Sequence, residues 1–341
     1  MHRAFALPFV TAAALCSAPA LADHPIAGGS VSGNGPIVTI AADTLPPGML
    51  AGGIQVSVVR PDAYSDTELI SLAGRHVHAH TTDYNLEAAA SVAYGLAEHF
   101  TISARLPFVR RDDLRAGHHS HSGGAVSNTV EELGSVSGIG DLSLMAEWIA
   151  AHNHERGWFV SLLGGLKVPT GSTSETSPDG ERLETEHQPG TGSWDPLFGL
   201  AASKSWGTIS LHGSGLYQLS TEGAQDTELG DKLHLNTALV YNLTGGEHAH
   251  AEGAEHHDRE EAGAWALMLE TGYEWEGRQQ IAGVLEDDSG SKELWVSPGV
   301  RFTSPHGWSA GLSAGLPLWQ HVRPSHPDNG FRVIAQVGTS F

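Results

Sequence analysis

Histidine supplies the most distinctive chemistry in this chain, which contains 21 histidines among 341 residues. The segment HVHAH has a histidine at every second position, and an extended backbone places alternate side chains on one face. Imidazoles that share a face are suited to binding zinc. The residues of this first group are His76, His78 and His80, and those of a second group, in the segment HHSH, are His118, His119 and His121.

A third group lies in the run HAHAEGAEHHDREE, where histidines are mixed with carboxylates. Neutral imidazole together with carboxylate suits zinc, copper or nickel. A polar loop that is merely rich in histidine explains the same composition and binds metal weakly or not at all. We therefore expect no cofactor beyond weak zinc, copper or nickel binding at these loops. The candidate ligands of the third group are His248, His250, His256 and His257.

The elements that position these residues are β-strands, and the C-terminal segment FRVIAQVGTSF shows the pattern. Its apolar residues recur at every second position from Phe331 to Phe341, while Arg332 and Gln336 fall on the opposite face. Residues 100–108 and 265–275 alternate in the same way. A soluble sandwich buries the apolar face of such strands, whereas a membrane barrel turns it toward lipid.

Twelve such segments follow one another along the chain. An even number of strands lets a barrel close with both termini on one side. Short connections such as residues 95–99 and 304–307 alternate with long polar ones such as residues 110–137 and 169–193. Only the connection 244–263 departs from this rhythm, because it is long where a short one is expected. The segments are centred near Val56, Ala90, Ala104, Leu144, Leu162, Leu200, Leu211, Leu239, Leu269, Val296, Leu312 and Val337.

Aromatic residues near the predicted strand ends match the girdles that meet the two lipid interfaces of membrane barrels. The sequence therefore predicts an all-β fold, a transmembrane antiparallel up-and-down β-barrel of about 12 strands with short periplasmic turns and long extracellular loops. We place it in the bacterial outer membrane, with its apolar faces against outer-membrane lipid. The terminal ring of Phe341 resembles the signal by which the barrel-assembly machinery recognises a last strand.

The N-terminus predicts export. Residues 1–22 contain an early basic residue, an apolar run and a small-residue exit, which is the pattern of a secretory signal peptide cleaved before Asp23. Lipidation at Cys16 fits less well, because the bulky Leu15 precedes it. Residues 23–48 are rich in Gly, Pro and Ser, and we expect them either to extend into the periplasm or to plug the lumen. Residues 49–341 form the predicted barrel.

Composition narrows the partners further. The formal net charge is −21, and binding nucleic acid requires a basic face, so nucleic acid is excluded as a partner. The single cysteine lies in the predicted signal peptide, so the processed chain has no disulfide or thiol chemistry. The remaining partners are lipid and small solutes.

Four motifs carry a family resemblance: TLPPG at 44–48, GIGDL at 138–142, VPTG at 168–171 and GTGSWD at 190–195. In this order and spacing they resemble the outer-membrane transporter family named for the meta pathway of phenol degradation. The resemblance implies passage of small, often aromatic or hydrophobic, solutes, and it supplies no catalytic or binding residues. The motifs themselves are explained by turn chemistry, since Gly permits a bulge at a strand start and Pro ends a strand at a rim.

Charged residues of both signs lie on the faces opposite the apolar ones. Inside a barrel they form a hydrogen-bonded network, because a buried charge without a partner is costly. About twelve strands leave room for only a small channel, so we favour bracing of the barrel over solute selectivity. The predicted lumen-lining residues are Glu87, Arg105, Asp141, Glu147, Lys167, Asp195, His212, His234, Glu270, Glu274, Arg301 and Arg332.

These patterns favour a passive outer-membrane channel or transporter for small solutes. The alternative is a metal-binding outer-membrane barrel whose histidine-rich loops capture zinc, copper or nickel ions, and an adhesive barrel is a third hypothesis. No enzyme activity is expected. Ser210, His212 and Ser214 share one face of one strand, an arrangement that does not make a catalytic triad, and no G-x-S-x-G motif surrounds them.

Overall fold

The computed structural model describes residues 35–122, 125–243 and 263–341. The predicted signal peptide, residues 1–22, lies outside these ranges. Residues 244–262 of the long connection also lie outside them, and they include the four candidate ligands His248, His250, His256 and His257. Short 3-10 helices lie at Thr185–His187 and Ala224–Asp226. The other elements are β1 (Leu50–Pro61), α1 (Asp66–Ala73), β2 (His80–Thr81), β3 (Tyr84–Ala97), β4 (Phe100–Ser122), β5 (Ala125–Ile139), β6 (Leu142–Asn153), β7 (Trp158–Val168), β8 (Asp195–Trp206), β9 (Ile209–Gln218), β10 (Thr227–Glu228), β11 (Lys232–Asn242), β12 (Ala264–Glu276), β13 (Gln280–Ile281), β14 (Val284–Leu285), β15 (Ser291–Thr303), β16 (Trp308–Val322) and β17 (Asn329–Ser340).

Twelve of the strands close into an antiparallel barrel. Around the barrel the order is β4, β3, β1, β17, β16, β15, β12, β11, β9, β8, β7 and β6, and β6 pairs back with β4. The terminal strands meet in the pairing of β1 with β17, which runs from Ala51 opposite Ser340 to Pro61 opposite Asn329. Each of the twelve predicted strand centres lies in one of these strands, so the predicted fold class is confirmed.

Alternation along each strand sorts the side chains between the two faces of the barrel. In β12, Leu267 and Leu269 are each 48% exposed, while the intervening Met268 is 4% exposed and Glu270 is 2% exposed. In β17, Val337 is exposed and Ile334 and Arg332 are buried. The apolar side chains therefore cover the outside and the charged ones face inward. This is the arrangement that a surrounding of lipid requires, and it is the reverse of a soluble barrel.

One predicted connection is wrong. Residues 110–137 were expected to form a long polar loop, but the structure continues β4 to Ser122 and returns along β5 as a hairpin. Backbone pairing runs from Phe108 opposite Ile139 to Ser122 opposite Ala125, with register shifts near Leu114. The segment is polar because both faces of the hairpin lie beyond the apolar band, and a polar strand does not differ from a polar loop in hydrophobic pattern.

The predicted irregularity at GIGDL is present as a break between β5 and β6. Gly140 and Asp141 fall between the two strands, and the Gly140 backbone N–H donates to the Pro107 carbonyl at 2.8 Å. The break ends the β4–β5 hairpin and begins the pairing of β6 with β7. It also positions Asp141 at the inner surface, where it is 4% exposed.

The two ends of the barrel differ in their connections. Four strand pairs are joined by brief turns at one end, termed here the short-turn end: β3 to β4, β6 to β7, β8 to β9 and β15 to β16. The opposite end, termed the long-loop end, has the long connections, among them residues 169–194, which we call the mouth loop. Among the described residues no helix is long and apolar enough to cross a membrane.

The helix α1 lies at the long-loop end. Ser65 caps its N-terminus, with the Ser65 side chain accepting from the Glu68 N–H and the Glu68 carboxylate accepting from the Ser65 N–H. Leu69 and Leu72 are buried against the β4–β5 hairpin. A Cβ at Gly117 of β4 would lie 2.5 Å from the Leu69 carbonyl oxygen, so glycine permits the close approach of helix to strand.

Candidate functional site in the barrel interior

A segment preceding β1 lies inside the barrel. Residues 35–48, termed here the lumen segment, have their backbone and side chains buried from Ile37 to Ala42. The Glu270 carboxylate of β12 accepts from the N–H groups of Ile37, Val38 and Thr39 at 2.9, 3.1 and 2.8 Å, and from the Thr39 hydroxyl at 2.8 Å. One carboxylate thus satisfies consecutive donors of a chain that has no strand partner.

The lumen segment is held from several sides of the barrel. Its backbone N–H groups also donate to Ser214 of β9, Ser203 of β8 and Thr101 of β4. Gln55 of β1 donates to the Ile37 carbonyl, and Arg301 of β15 donates to the Gly35 carbonyl. Contacts with β1, β4, β8, β9, β12 and β15 mean that the segment crosses the interior instead of following one wall.

Apolar packing accompanies these hydrogen bonds. Ile37 and Val38 pack with Val240, Met268 and Ile334, which project inward from three strands. On the other side of the crossing, Ile40 and Ala42 form a cluster with Leu163, Leu197, Ala201 and Leu216. These inward apolar residues meet the apolar side chains of the segment, so the strands and the segment are complementary where they touch.

Three buried charges of the interior form a triad near the long-loop end. Lys167 Nζ lies 2.8 Å from Asp195 Oδ2 and 3.3 Å from Asp141 Oδ2, and all three side chains are at most 5% exposed. Asp141 also accepts from the N–H groups of Gly171 and Thr191 at 2.9 and 2.8 Å. The triad therefore ties the start and the end of the mouth loop to the barrel wall.

The mouth loop crosses the opening of the barrel. Arg111 of β4 donates to the carbonyls of His187 and Gln188, while Thr185 donates to the Ala224 carbonyl in the β9–β11 connection. Its two ends meet at a glycine pair, since a Cβ at Gly190 would lie 2.6 Å from the Gly171 backbone. The VPTG and GTGSWD motifs thus form the two ends of the mouth loop and contact each other where the loop leaves and rejoins the barrel wall. Their Gly and Asp residues have structural roles.

The other predicted lumen-lining residues all lie on the inward face. Glu87 pairs with Arg105 at 2.5 Å, and Glu274 pairs with Arg332 at 2.5 Å. The Arg332 guanidinium also lies 4.5 Å from the centre of the Trp295 ring. His212 contacts the hydroxyls of Ser203 and Ser210, and Glu147 lies on the same inward lining. His234 is buried in the same lining.

The first histidine group does not form the single face expected from its spacing. His76 has φ of 60° and lies in a turn, so the backbone is not extended through HVHAH. The chain reverses direction after α1, so the side chains of His76 and His80 do not lie on one face, and His78 between them is exposed. His76 contacts His119 of the second group, with ring centres 4.4 Å apart, whereas His80 is buried in the long-loop end.

The second group is an exposed cluster on the hairpin. His119 Nε2 lies 3.1 Å from His121 Nε2, and His119 Nδ1 contacts Asn128 Oδ1 at 2.6 Å. His118 faces Glu131 at 3.6 Å. The first two groups therefore meet only through His76 and His119. At the short-turn end His99, His152 and His154 form another exposed set, with neighbouring ring centres 4.5 and 4.6 Å apart.

Several interior residues were not found from the sequence. Trp295 has no exposed surface and lies on the inward face of β15 between Glu293 and Ser297. Because these polar residues are two positions away on either side, the alternation of the strand could have predicted that Trp295 faces inward. Glu186, His187 and His326 lie in connections, where no periodicity indicates which side chains turn inward. Lys232 begins β11 and is 1% exposed. A cavity of about 90 Å³ is lined by Glu186, His187, Lys232 and His326 together with His80 and Arg111.

Comparison with known proteins agrees with this architecture. The sequence pattern of the family described as "Putative MetA-pathway of phenol degradation" matches residues 65–325. An outer-membrane channel from Pseudomonas putida F1 has a similar structure, with a TM-score of 0.54 and 17% identity over 88% of this chain and 98% of that chain. No curated protein matches the chain in sequence.

Two further barrels are less similar. The CymD monoaromatic hydrocarbon channel has a TM-score of 0.38 and 12% identity, covering 93% of this chain and 98% of that chain. LpxR from Salmonella typhimurium has a TM-score of 0.38 and 10% identity, covering 85% of this chain and 99% of that chain.

Proposed function

The chain belongs to the family described as "Putative MetA-pathway of phenol degradation", and from this premise we propose that it is a non-catalytic outer-membrane channel for passive passage of small solutes. The lumen segment is the observation that carries the proposal. It occupies the middle of the barrel without belonging to the wall, and the Glu270 carboxylate accepts from three of its consecutive backbone N–H groups. Such a segment narrows a passage to small molecules.

The solutes that suit this interior are small and at least partly apolar. Around the lumen segment the lining includes apolar side chains, with Val240, Met268 and Leu216 facing inward. Beyond it the lining carries paired charges, which brace the wall and leave few groups to bind an ion strongly. The family description and the printed name of the CymD channel agree with aromatic solutes.

The proposed orientation follows the connections. In outer-membrane barrels the brief turns face the periplasm and the long loops face outward. The mouth loop then covers the external opening, and the lumen segment enters from the periplasmic side, following a signal peptide cleaved before Asp23. Strand β17, with its exposed Phe341, is the proposed contact for the barrel-assembly machinery.

Single-channel recording from the mature chain in a planar bilayer tests the proposal. We would compare the unchanged protein with a chain lacking residues 23–42 and with Glu270→Ala, which removes the acceptor of the Ile37, Val38 and Thr39 N–H groups. Glu87→Ala is the matched control, because Glu87 is an inward carboxylate paired with Arg105. We expect discrete steps whose conductance rises in the first two variants and not in the control.

Phenol added to one side distinguishes passage of aromatic solutes from a plain ion leak. A solute that enters the narrowed lumen interrupts the current briefly, so we expect short blockades that become rarer when the lumen segment is absent. Folding is checked by the slower gel migration of heated barrel protein. Folded protein that gives no steps in any form would overturn the channel proposal.

A further inference from the structure

Three imidazoles and a carboxylate converge at the long-loop end from three separate connections. His80 precedes β3, Glu186 and His187 lie in the mouth loop, and His326 lies between β16 and β17. One nitrogen of His80, one nitrogen of His187 and one oxygen of Glu186 all lie within 4.8 Å of one another. His80 and His187 are 7% and 4% exposed, so the cluster is not a surface feature.

His326 supplies a fourth donor. Its Nε2 lies 3.9 Å from Glu186 Oε2, and its ring centre lies 4.1 Å from that of His80. The Glu186 carboxylate therefore faces all three imidazoles, since its Oε1 lies 3.5 Å from His80 Nδ1 and 3.8 Å from His187 Nε2. The three imidazoles are therefore gathered around one carboxylate, with His80 and His187 near its Oε1 and His326 near its Oε2.

The spacing is close to that of a transition-metal site. Tetrahedral zinc with ligand distances near 2.0–2.1 Å places its donor atoms about 3.3 Å apart. The three nitrogen–oxygen separations in the cluster are 3.5, 3.8 and 3.9 Å. Contraction by about half an ångström brings them to the zinc value, a shift that side-chain rotation in three connections supplies.

The surrounding backbone holds the donors in place. The His80 N–H donates to the Ser325 carbonyl at 2.9 Å, and the Tyr64 hydroxyl donates to the His326 carbonyl at 2.8 Å. Arg111 Nη1 donates to the His187 carbonyl at 3.2 Å. These contacts fix the backbone that carries the three imidazoles.

His80 turns its Nδ1 toward Glu186. Its other ring nitrogen, Nε2, is buried without a hydrogen-bond partner among the described residues, although a buried polar atom normally has one. The charges that face the cluster are mixed: Arg111 and Lys232 are cationic, and Glu184 and Glu276 are anionic. Counting Glu186, carboxylates outnumber these cations, which favours a bound cation over an anion.

We propose that His80, Glu186, His187 and His326 bind one divalent transition-metal ion of the zinc class at the long-loop end of the barrel. Imidazole nitrogen with a single carboxylate oxygen is a donor set that zinc, copper and nickel accept. The ion joins the connection before β3, the mouth loop and the β16–β17 connection to one another across the opening. This site is separate from the exposed cluster of His76, His119 and His121, and it does not depend on the proposed channel.

Metal analysis of the mature, untagged barrel in detergent is the first test. The background chain carries alanine in place of the exposed or undescribed candidate ligands, so that weak sites there do not contribute. These are His76, His78, His118, His119, His121, His248, His250, His256 and His257. We expect one equivalent of zinc to survive dialysis, and cobalt(II) in place of zinc to give the visible absorption of a four-coordinate site. Absence of any retained equivalent in this folded chain would overturn the proposal.

Variants then assign the ligands. His187→Ala and His326→Ala should each weaken zinc binding by more than the roughly 10–100-fold that loss of an outer contact costs. Glu186→Gln keeps the shape and removes the charge, so it should weaken binding and shift the cobalt spectrum. His152→Ala, at the short-turn end, is the matched control and should change neither. A tight equivalent that persists in both histidine variants would also overturn the assignment, and if either variant fails to fold, the Glu186→Gln spectrum decides.

Discussion

The middle of the lumen and its long-loop end are both occupied by chain that is not part of the barrel wall, but the two are held by different forces. In the middle, Glu270 accepts from consecutive backbone N–H groups of the lumen segment. At the long-loop end, the mouth loop is held by the buried charges of Asp141, Lys167 and Asp195. A neutral backbone released from Glu270 finds other hydrogen bonds in water, whereas a buried ion that loses its partner does not.

This difference predicts that the mouth loop is integral to the folded barrel and the lumen segment is detachable. The long-loop end should therefore respond to substitution with a loss of global stability. The middle should respond with local opening and a change in permeation.

Lys167→Met should have the largest effect. It leaves Asp141 and Asp195 buried without their cation, and breaking a buried pair in this way costs about 3–5 kcal/mol. Urea unfolding of the folded barrel, followed by tryptophan fluorescence, measures the loss. Arg278→Met is the control, because Arg278 pairs with Asp287 at the surface and an exposed pair contributes less than about 1 kcal/mol. Equal losses in the two variants would contradict the assigned role of the triad.

Gly190→Ala should destabilise the same region by a smaller amount. The added methyl group meets the Gly171 backbone at 2.6 Å, and such overpacking costs about 1–3 kcal/mol. The urea midpoint again provides the measurement. Gly164→Ala in β7 is the matched control, since a Cβ there meets nothing within 4 Å. An unchanged midpoint in Gly190→Ala would mean that the ends of the mouth loop separate without cost.

Glu270→Ala should weaken the hold on the lumen segment by about 1–2 kcal/mol, because the freed N–H groups are partly satisfied by water. The processed chain is expected to be free of cysteine, so Ala41→Cys provides one label site in the segment, where Ala41 is 3% exposed. Maleimide labelling should be roughly 5–30-fold faster when Glu270→Ala is added. Adding Glu87→Ala instead should leave the rate unchanged, and equal acceleration by both would refute a specific anchor.

Ser65→Ala should have the smallest effect, confined to α1. It removes the side-chain acceptor at the helix N-terminus, which costs about 0.5–1 kcal/mol. Hydrogen exchange of the α1 amides should become faster, while exchange in the barrel strands stays unchanged. Ser71→Ala, on the exposed face of the same helix, is the control. Faster exchange in the strands would show that α1 supports the barrel itself.

Much of the fold was predictable because a barrel strand has two different solvents on its two faces. Lipid outside requires apolar side chains at every second position. The sequence therefore predicted all twelve strand centres and the inward positions of Glu270, Glu274 and Arg332. The same rule failed for residues 110–137, where the β4–β5 hairpin extends beyond the lipid and both faces are polar.

The interior sites were less predictable, because their partners are distant in sequence. Glu270 was assigned to the lumen, but its partner segment lies more than 200 residues away, at 37–39. Likewise HVHAH suggested a metal site from local spacing. The turn at His76 removes that possibility, and the only member of the group in a buried cluster, His80, meets Glu186, His187 and His326 from other connections.

The sequence by itself determined the number of barrel strands, their inward and outward faces and the chemistry that each face carries, because these depend on a period of two and on the contrast between lipid and a polar interior. Only the tertiary structure decided that residues 35–48 lie in the lumen, that the mouth loop crosses the opening, and which histidines meet. Those outcomes depend on the pairing of β17 with β1, which closes the barrel, and on the paths of irregular connections. Neither can be predicted from the local periodicity of the sequence.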